Sequence, residues 1–172
     1  DFRSNWHSVY GILRADTLDD GYFPSQGFRG GITGRYVFGG YSIYMEEYGT
    51  RESFEGPVRP YATVLFDATA ALPLSDRFTL QPMLYAGWNS RYNGMMNFMH
   101  TLTAGGTIAG RYMEYQIPFF GYGTSFHVMQ RFALMGRTDL RWQFSHVNYL
   151  SLQVAHLRNS HDFQDLFRKI GR

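Results

Sequence analysis

The chain has 172 residues, the length of one domain, and a formal net charge of +2, too small for nucleic-acid binding by bulk electrostatics. Cysteine is absent, which excludes disulfides and thiolate metal sites, and no apolar run is long enough for a transmembrane helix. Tyr, Phe and Trp make up 18% of residues, and the basic residues are fifteen Arg and a single Lys, Lys169. An exterior facing water normally carries lysine, so much of this one faces something else.

In chain order, residues 6–16 read as a first strand, and the Asp-Gly of "DDGYF" that follows reads as a turn. From 28 to 38 the even positions are Phe, Gly, Ile, Gly, Tyr and Phe, while the odd ones include Arg29, Thr33 and Arg35. Residues 45–60 are polar and suit a long outward loop. From 62 to 72 the even positions are again apolar, with Thr63, Asp67 and Thr69 opposite. A short turn at 73–77 leads to 78–88, with Phe78, Leu80, Leu84 and Trp88 on one face and Thr79 and Gln81 on the other. Residues 101–123 break the alternation with glycines, one arginine and many aromatics. A run from 126 to 144 then places Val128, Phe132, Leu134, Leu140 and Trp142 against His127, Arg131, Arg137, Asp139 and Arg141, and 149–158 forms a last strand. Period-two alternation puts such sets on opposite faces of a sheet.

Strand length sets the class. Soluble strands run to about 5–6 residues, whereas a tilted transmembrane strand needs about 9–11, which several of these segments reach. Aromatics near strand ends (Tyr36, Phe38, Phe78, Trp88, Trp142, Phe144) suit interfacial girdles, and the arginines and carboxylates gather on the opposite face as in a polar lumen. The reading is all-β: an antiparallel transmembrane barrel contributing about seven or eight strands. A soluble lipocalin-like barrel would invert the faces and need lysine and glutamate outside. An eight-stranded barrel is just wide enough for its own side chains, leaving no room inside for 101–123. The economical arrangement is a wider barrel with a lumenal loop at about 105–123. A buried Arg111 then requires a counter-charge, for which Asp139 and Asp67 are the candidates.

Two stretches carry a family resemblance. "GGTIAGRY" followed by "ALMGRTDLRW" resembles the bacterial surface antigen (BamA-like) barrels, with Gly105, Gly106, Gly110, Arg111 and Tyr112 matching the lumenal loop and Leu140 and Arg141 the strand motif. "LRADTLDDGYFPSQGFRGG" is similar to the family's turn, through Asp16, Asp19, Phe23, Pro24 and Gly27. Within the family, "AGRYMEYQIPFFG" and "GRTDLRW" resemble most the C-terminal barrel of patatin-like phospholipase proteins. At the loop tip Gly110 precedes Arg111, the reverse of the family's order.

The resemblance implies a barrel of about sixteen strands, of which residues 1–172 are one incomplete domain. It also implies a bacterial outer-membrane location, with membrane lipid as surroundings. The remaining strands or a second copy of the chain would close the barrel, and a periplasmic hydrolase domain would sit in the same full-length protein. The runner-up is an independent eight-stranded barrel acting as adhesin, structural protein or lipid-A-modifying enzyme. No G-x-S-x-G nucleophile turn occurs within the chain. Ser125 and His127 share a face but lack an acidic orienter, 159–165 reads as a polar turn rather than a metal site, and no cofactor motif is present.

Overall fold

The computed structural model describes residues 2–21, 23–44, 54–57, 59–91, 102–106, 115–121 and 127–168. The strands are β1 (Phe2–Asp16), β2 (Gly27–Tyr44), β3 (Phe54–Pro57), β4 (Tyr61–Ser75), β5 (Phe78–Asn89), β6 (Thr103–Ala104), β7 (Gln116–Ile117), β8 (His127–Val128), β9 (Phe132–Gln143) and β10 (Tyr149–Ser160). A 3-10 turn follows at Phe163–Leu166. The main sheet is antiparallel in the order β1-β2-β4-β5-β9-β10, with β3 paired to the end of β2. Among the described residues it is open, and β1 and β10 are its edges.

The two faces differ sharply. Phe66, Leu84, Leu152 and Val154 point to the exposed side. The opposite side buries Thr63, Leu65, Tyr85, Met135, Arg137, Asp139 and Arg141. Register explains why parity is shared along the sheet: the pairs Thr63↔Asn89, Phe78↔Trp142 and Tyr149↔Gln143 all join residues of equal parity.

β1 is the exception. Asp16 pairs with Arg29, so from Ser8 to Asp16 the parity inverts and the exposed Val9 and Leu13 share a face with Tyr36 and Ile32. A bulge then restores it: His7 pairs with Gly39 but Ser8 with Val37, so Phe38 is the extra residue. Gly40 beside it holds φ +148°, and a Cβ there would lie 2.2 Å from the Asn5 carbonyl oxygen. Only glycine fits that approach.

The alternating run at 126–144 is not one strand. Its first part pairs elsewhere, Thr103 with Val128 and Ala104 with His127, and the Met129 amide donates to the Leu102 carbonyl at 2.9 Å. The main-sheet strand starts only at Phe132. Alternation continues through the break because both parts are extended, which is why sequence alone fuses them.

β6, β7 and β8 form a small separate sheet in the order β7-β6-β8, with β6 and β7 parallel. Leu102, Ala104, Tyr115, Ile117 and Met129, all fully buried, pack with Leu65, Tyr85, Ala133 and Met135. The core therefore lies between the polar-bearing face of β4, β5 and β9 and the segment that interrupts the chain. Gly87 lets the layers touch, since a Cβ there would meet Leu102 Cδ2 at 2.6 Å.

Candidate functional site

The β1–β2 connection is built by aspartates. Asp19 Oδ1 accepts the amides of Ser25 at 2.8 Å and Gln26 at 3.2 Å, and its Oδ2 accepts the Ser25 hydroxyl. The Phe23 amide donates to Asp20 Oδ1 at 2.7 Å. Asp16 accepts the Leu18 amide at 3.1 Å and Arg29 Nε at 2.8 Å. Thr17 closes the hairpin by donating its amide to the Phe28 carbonyl at 2.8 Å. Gly27 takes φ +108°, where a Cβ would lie 2.3 Å from the Thr17 carbonyl oxygen. These donors hold the Asp19 carboxyl below the usual aspartate range, the Ser25 hydroxyl foremost.

This turn folds over the covered face and reaches the far side of the sheet. The Phe23 ring stacks on Tyr149 of β10 with centroids 4.7 Å apart and planes within 6°. Arg141 of β9 donates Nη2–H to the Pro24 carbonyl and lies 5.8 Å from the Phe23 ring and 5.4 Å from the Tyr149 ring. The turn motif and Arg141, far apart in sequence, therefore meet. Leu140 does not join them: it points to the other face, between Leu80 and Leu152.

Beside Arg141 lies a buried ion pair. Arg137 donates Nε–H to Asp139 Oδ1 at 2.7 Å and Nη2–H to Oδ2 at 2.6 Å, a bidentate fork within one strand. Gln153, directly opposite on β10, donates to Asp139 Oδ2 at 3.0 Å. Phe120 lies 6.0 Å from the Arg137 guanidinium. The pairing of Arg137 with Asp139 escaped the sequence reading, although their spacing of two on a covered face was its signal.

Asp67 is half-buried near Gly31, where a Cβ would meet both Arg14 Cγ at 3.0 Å and Asp67 Oδ1 at 3.3 Å. Of the loop motif, Gly105 and Gly106 hold φ +148° and +69°, and the Gly105 carbonyl accepts Gln116 Nε2–H at 2.8 Å. Gly110, Arg111 and Tyr112 lie outside the described residues. The turn, Pro118 and the covered face line an open cavity of about 430 Å³, with Arg29, Thr69, Tyr85, Arg137 and Asp139 among its walls. A second, of about 440 Å³, opens between the turns and is lined by Asp76, Arg77, Thr79 and Gln143. Arg141 lines both.

A sheet with one apolar exposed face, one polar covered face and strands of this length is built to stand in a bilayer. Neither a curated protein nor a solved structure matches the chain. A family model does, that of the OMP85 superfamily, over residues 2–170. Its members are outer-membrane proteins, so the open antiparallel sheet is part of a transmembrane β-barrel of the surface-antigen type. On that match, which spans nearly the whole chain, the protein belongs to the OMP85 superfamily.

Proposed function

We propose that this barrel serves as the membrane-anchoring or translocating C-terminal part of a longer protein whose preceding domain is a patatin-like lipid acyl hydrolase. The observation that carries the anchoring role is the split between faces: Leu84, Leu152 and Val154 are exposed while Arg137, Asp139 and Arg141 are covered. An apolar band outside and charged groups inside suit a wall between lipid and a polar lumen. On this reading the segment 105–123 is a lumenal loop, and Arg111 at its tip pairs with Asp139 or Asp67 on the wall. The link to a patatin-like hydrolase rests on the likeness of "AGRYMEYQIPFFG" and "GRTDLRW" to that subgroup's barrels.

An open sheet edge has no place in lipid. Further strands of the same protein, or a second copy of the chain, close the barrel against β1 and β10. Fluorophosphonate labelling of the full-length protein in outer-membrane fractions tests the hydrolase part: a labelled serine upstream of these residues is the expected result. A full-length protein that is never labelled, and has no G-x-S-x-G upstream, removes the hydrolase and leaves an independent barrel.

A further inference from the structure

After β10 the chain folds back over the lipid-facing side of the sheet. The 3-10 turn at Phe163–Leu166 is amphipathic, with Phe163, Leu166 and the following Phe167 set among Asp162, Gln164, Asp165 and Arg168. Leu166 is buried, whereas Phe163 and Phe167 are 58% and 62% exposed. The Phe163 ring meets Phe132 of β9 edge-on at 5.7 Å and Phe167 at 5.4 Å. Phe132 pairs with Trp88 of β5 and shares the parity of Leu134, so it points to the lipid-facing side. Arg158 of β10 has the parity of the exposed Leu152 and Val154 and stands on that side too. Its Nη1 donates to the carbonyls of Leu166 at 2.8 Å and Arg168 at 3.4 Å, and its Nε to His156 Nε2 at 3.1 Å. A strand added to the β10 edge would lie in the plane of the sheet and leave this side open.

We propose that residues 162–168 form an in-plane anchor, seated in the headgroup layer of the outer leaflet with Phe163 and Phe167 turned toward the acyl chains. The anchor presupposes the lipid-facing assignment of the sheet and continues that surface: Phe132, already part of it, carries Phe163, which carries Phe167. Its height follows from register. Trp88, Phe132 and Ser160 form one row at the ends of β5, β9 and β10, opposite the short turns at 76–77 and 144–148. Barrels of this kind keep short turns on the periplasmic side and gather aromatic rings at both interfaces, which puts this row at the outer one. The polar side suits the headgroups, since Arg168 and Asp165 pair at 3.1 Å with 77% and 43% of their side chains exposed. Arg158 lies two residues inward of the row, opposite Leu134. A bare cation facing lipid is costly, and the Leu166 and Arg168 carbonyls give it acceptors there. The turn therefore both enters the interface and shields Arg158 from hydrocarbon.

The test uses the full-length protein in phosphatidylcholine vesicles, with a spin label placed singly at 163, 167, 84 or 147. Collisions of each label with oxygen, which concentrates among acyl chains, are compared with those of a nickel chelate, which stays in water. Leu84 is the mid-strand lipid reference and Val147, in the β9–β10 turn, the water reference. The oxygen-to-nickel ratio at 163 and 167 is expected to fall between the two references. A ratio equal to that at 147 stands the turn in water and overturns the anchor. A ratio equal to that at 84 puts the rings in the hydrocarbon centre and overturns the interfacial level. If 84 itself matches 147, the lipid-facing assignment fails and the anchor fails with it. Should the labelled variants not fold, Phe163→Trp keeps an aromatic ring and decides alone. Its added emission is expected to be quenched more by phosphatidylcholine brominated near the headgroup than by lipid brominated near the chain ends. No quenching by either lipid, or stronger quenching by the deep bromines, overturns the proposal.

Discussion

Arg137 and Asp139 stand two residues apart on one strand and share two hydrogen bonds of 2.7 and 2.6 Å, with 5% and 9% of their side chains exposed. The fork is possible because alternate residues of a strand project to the same side. Removing one member of a covered pair strands the other charge, typically at ~3–5 kcal/mol. Asp139→Ala is expected to lower the unfolding midpoint of the folded barrel by that order. Arg137→Met with Asp139→Leu is expected to cost less than the two single losses added together. Additive, near-neutral effects in a denaturant titration would show that the pair is solvated.

Gly87 and Leu102 report on the layer that covers the sheet. A methyl group at 87 would meet the fully buried Leu102 side chain at 2.6 Å. Gly87→Ala is expected to destabilise by ~1–3 kcal/mol through overpacking. Adding Leu102→Ala should recover part of that loss. A Gly87→Ala protein that melts like the parent would mean that residues 102–106 do not lie on β5.

Gly27 differs because its obstacle is backbone. At φ +108°, with a Cβ 2.3 Å from the Thr17 carbonyl oxygen, no side-chain movement relieves the clash. Gly27→Ala should cost ~1–3 kcal/mol or more and shift the signals of Phe23 and Tyr149, whose stacking depends on the turn. Unchanged aromatic signals in that variant would argue against the turn's reach across the sheet.

Leu84 lies mid-strand on the exposed face, beside Ala68 and Gly136. Leu84→Arg is expected to cost about 2–4 kcal/mol at the bilayer midplane. Cysteines at 84, 152 and 154 should react with lipid-soluble probes, and those at the half-buried positions 81 and 153 of the opposite face with water-soluble ones. The opposite labelling pattern would mean that the sheet is inside out.

Asp19 gives the pH dependence. Its carboxyl is held below the usual aspartate range by Ser25 and Gln26 donors. A depressed folded value means that the stabilisation is present above the unfolded aspartate value and is lost as pH falls through the folded one. The turn should therefore loosen only in strong acid, seen as a shift of the Ser25 and Gln26 amide signals. Ser25→Ala removes the largest of these donors and should move that transition upward. An unmoved transition would remove Asp19 as its source.

Much of this was legible in the residues. Alternation at 28–38, 62–72 and 78–88 marks β2, β4 and β5 because strand side chains repeat every two positions, whatever surrounds them. The scarcity of lysine and the length of these runs were enough to assign the outward face to something other than water. The turn's Asp16, Asp19 and Gly27 were visible only through the family resemblance, and the structure adds their role: Asp19 accepts the Ser25 and Gln26 amides.

Other features depend on contacts between distant segments, which no local pattern encodes. The parity of β1 inverts because of the length of its connection to β2, and the bulge at Phe38 restores it. The run at 126–144 divides because Met129 bonds to Leu102 rather than to a neighbouring long strand. The meeting of Pro24 with Arg141 requires the turn to cross the whole sheet. Local periodicity determined which residues share a face, since it follows from backbone geometry alone. Which of those faces is covered, by which loop, and against which charge, was decided only by packing in three dimensions.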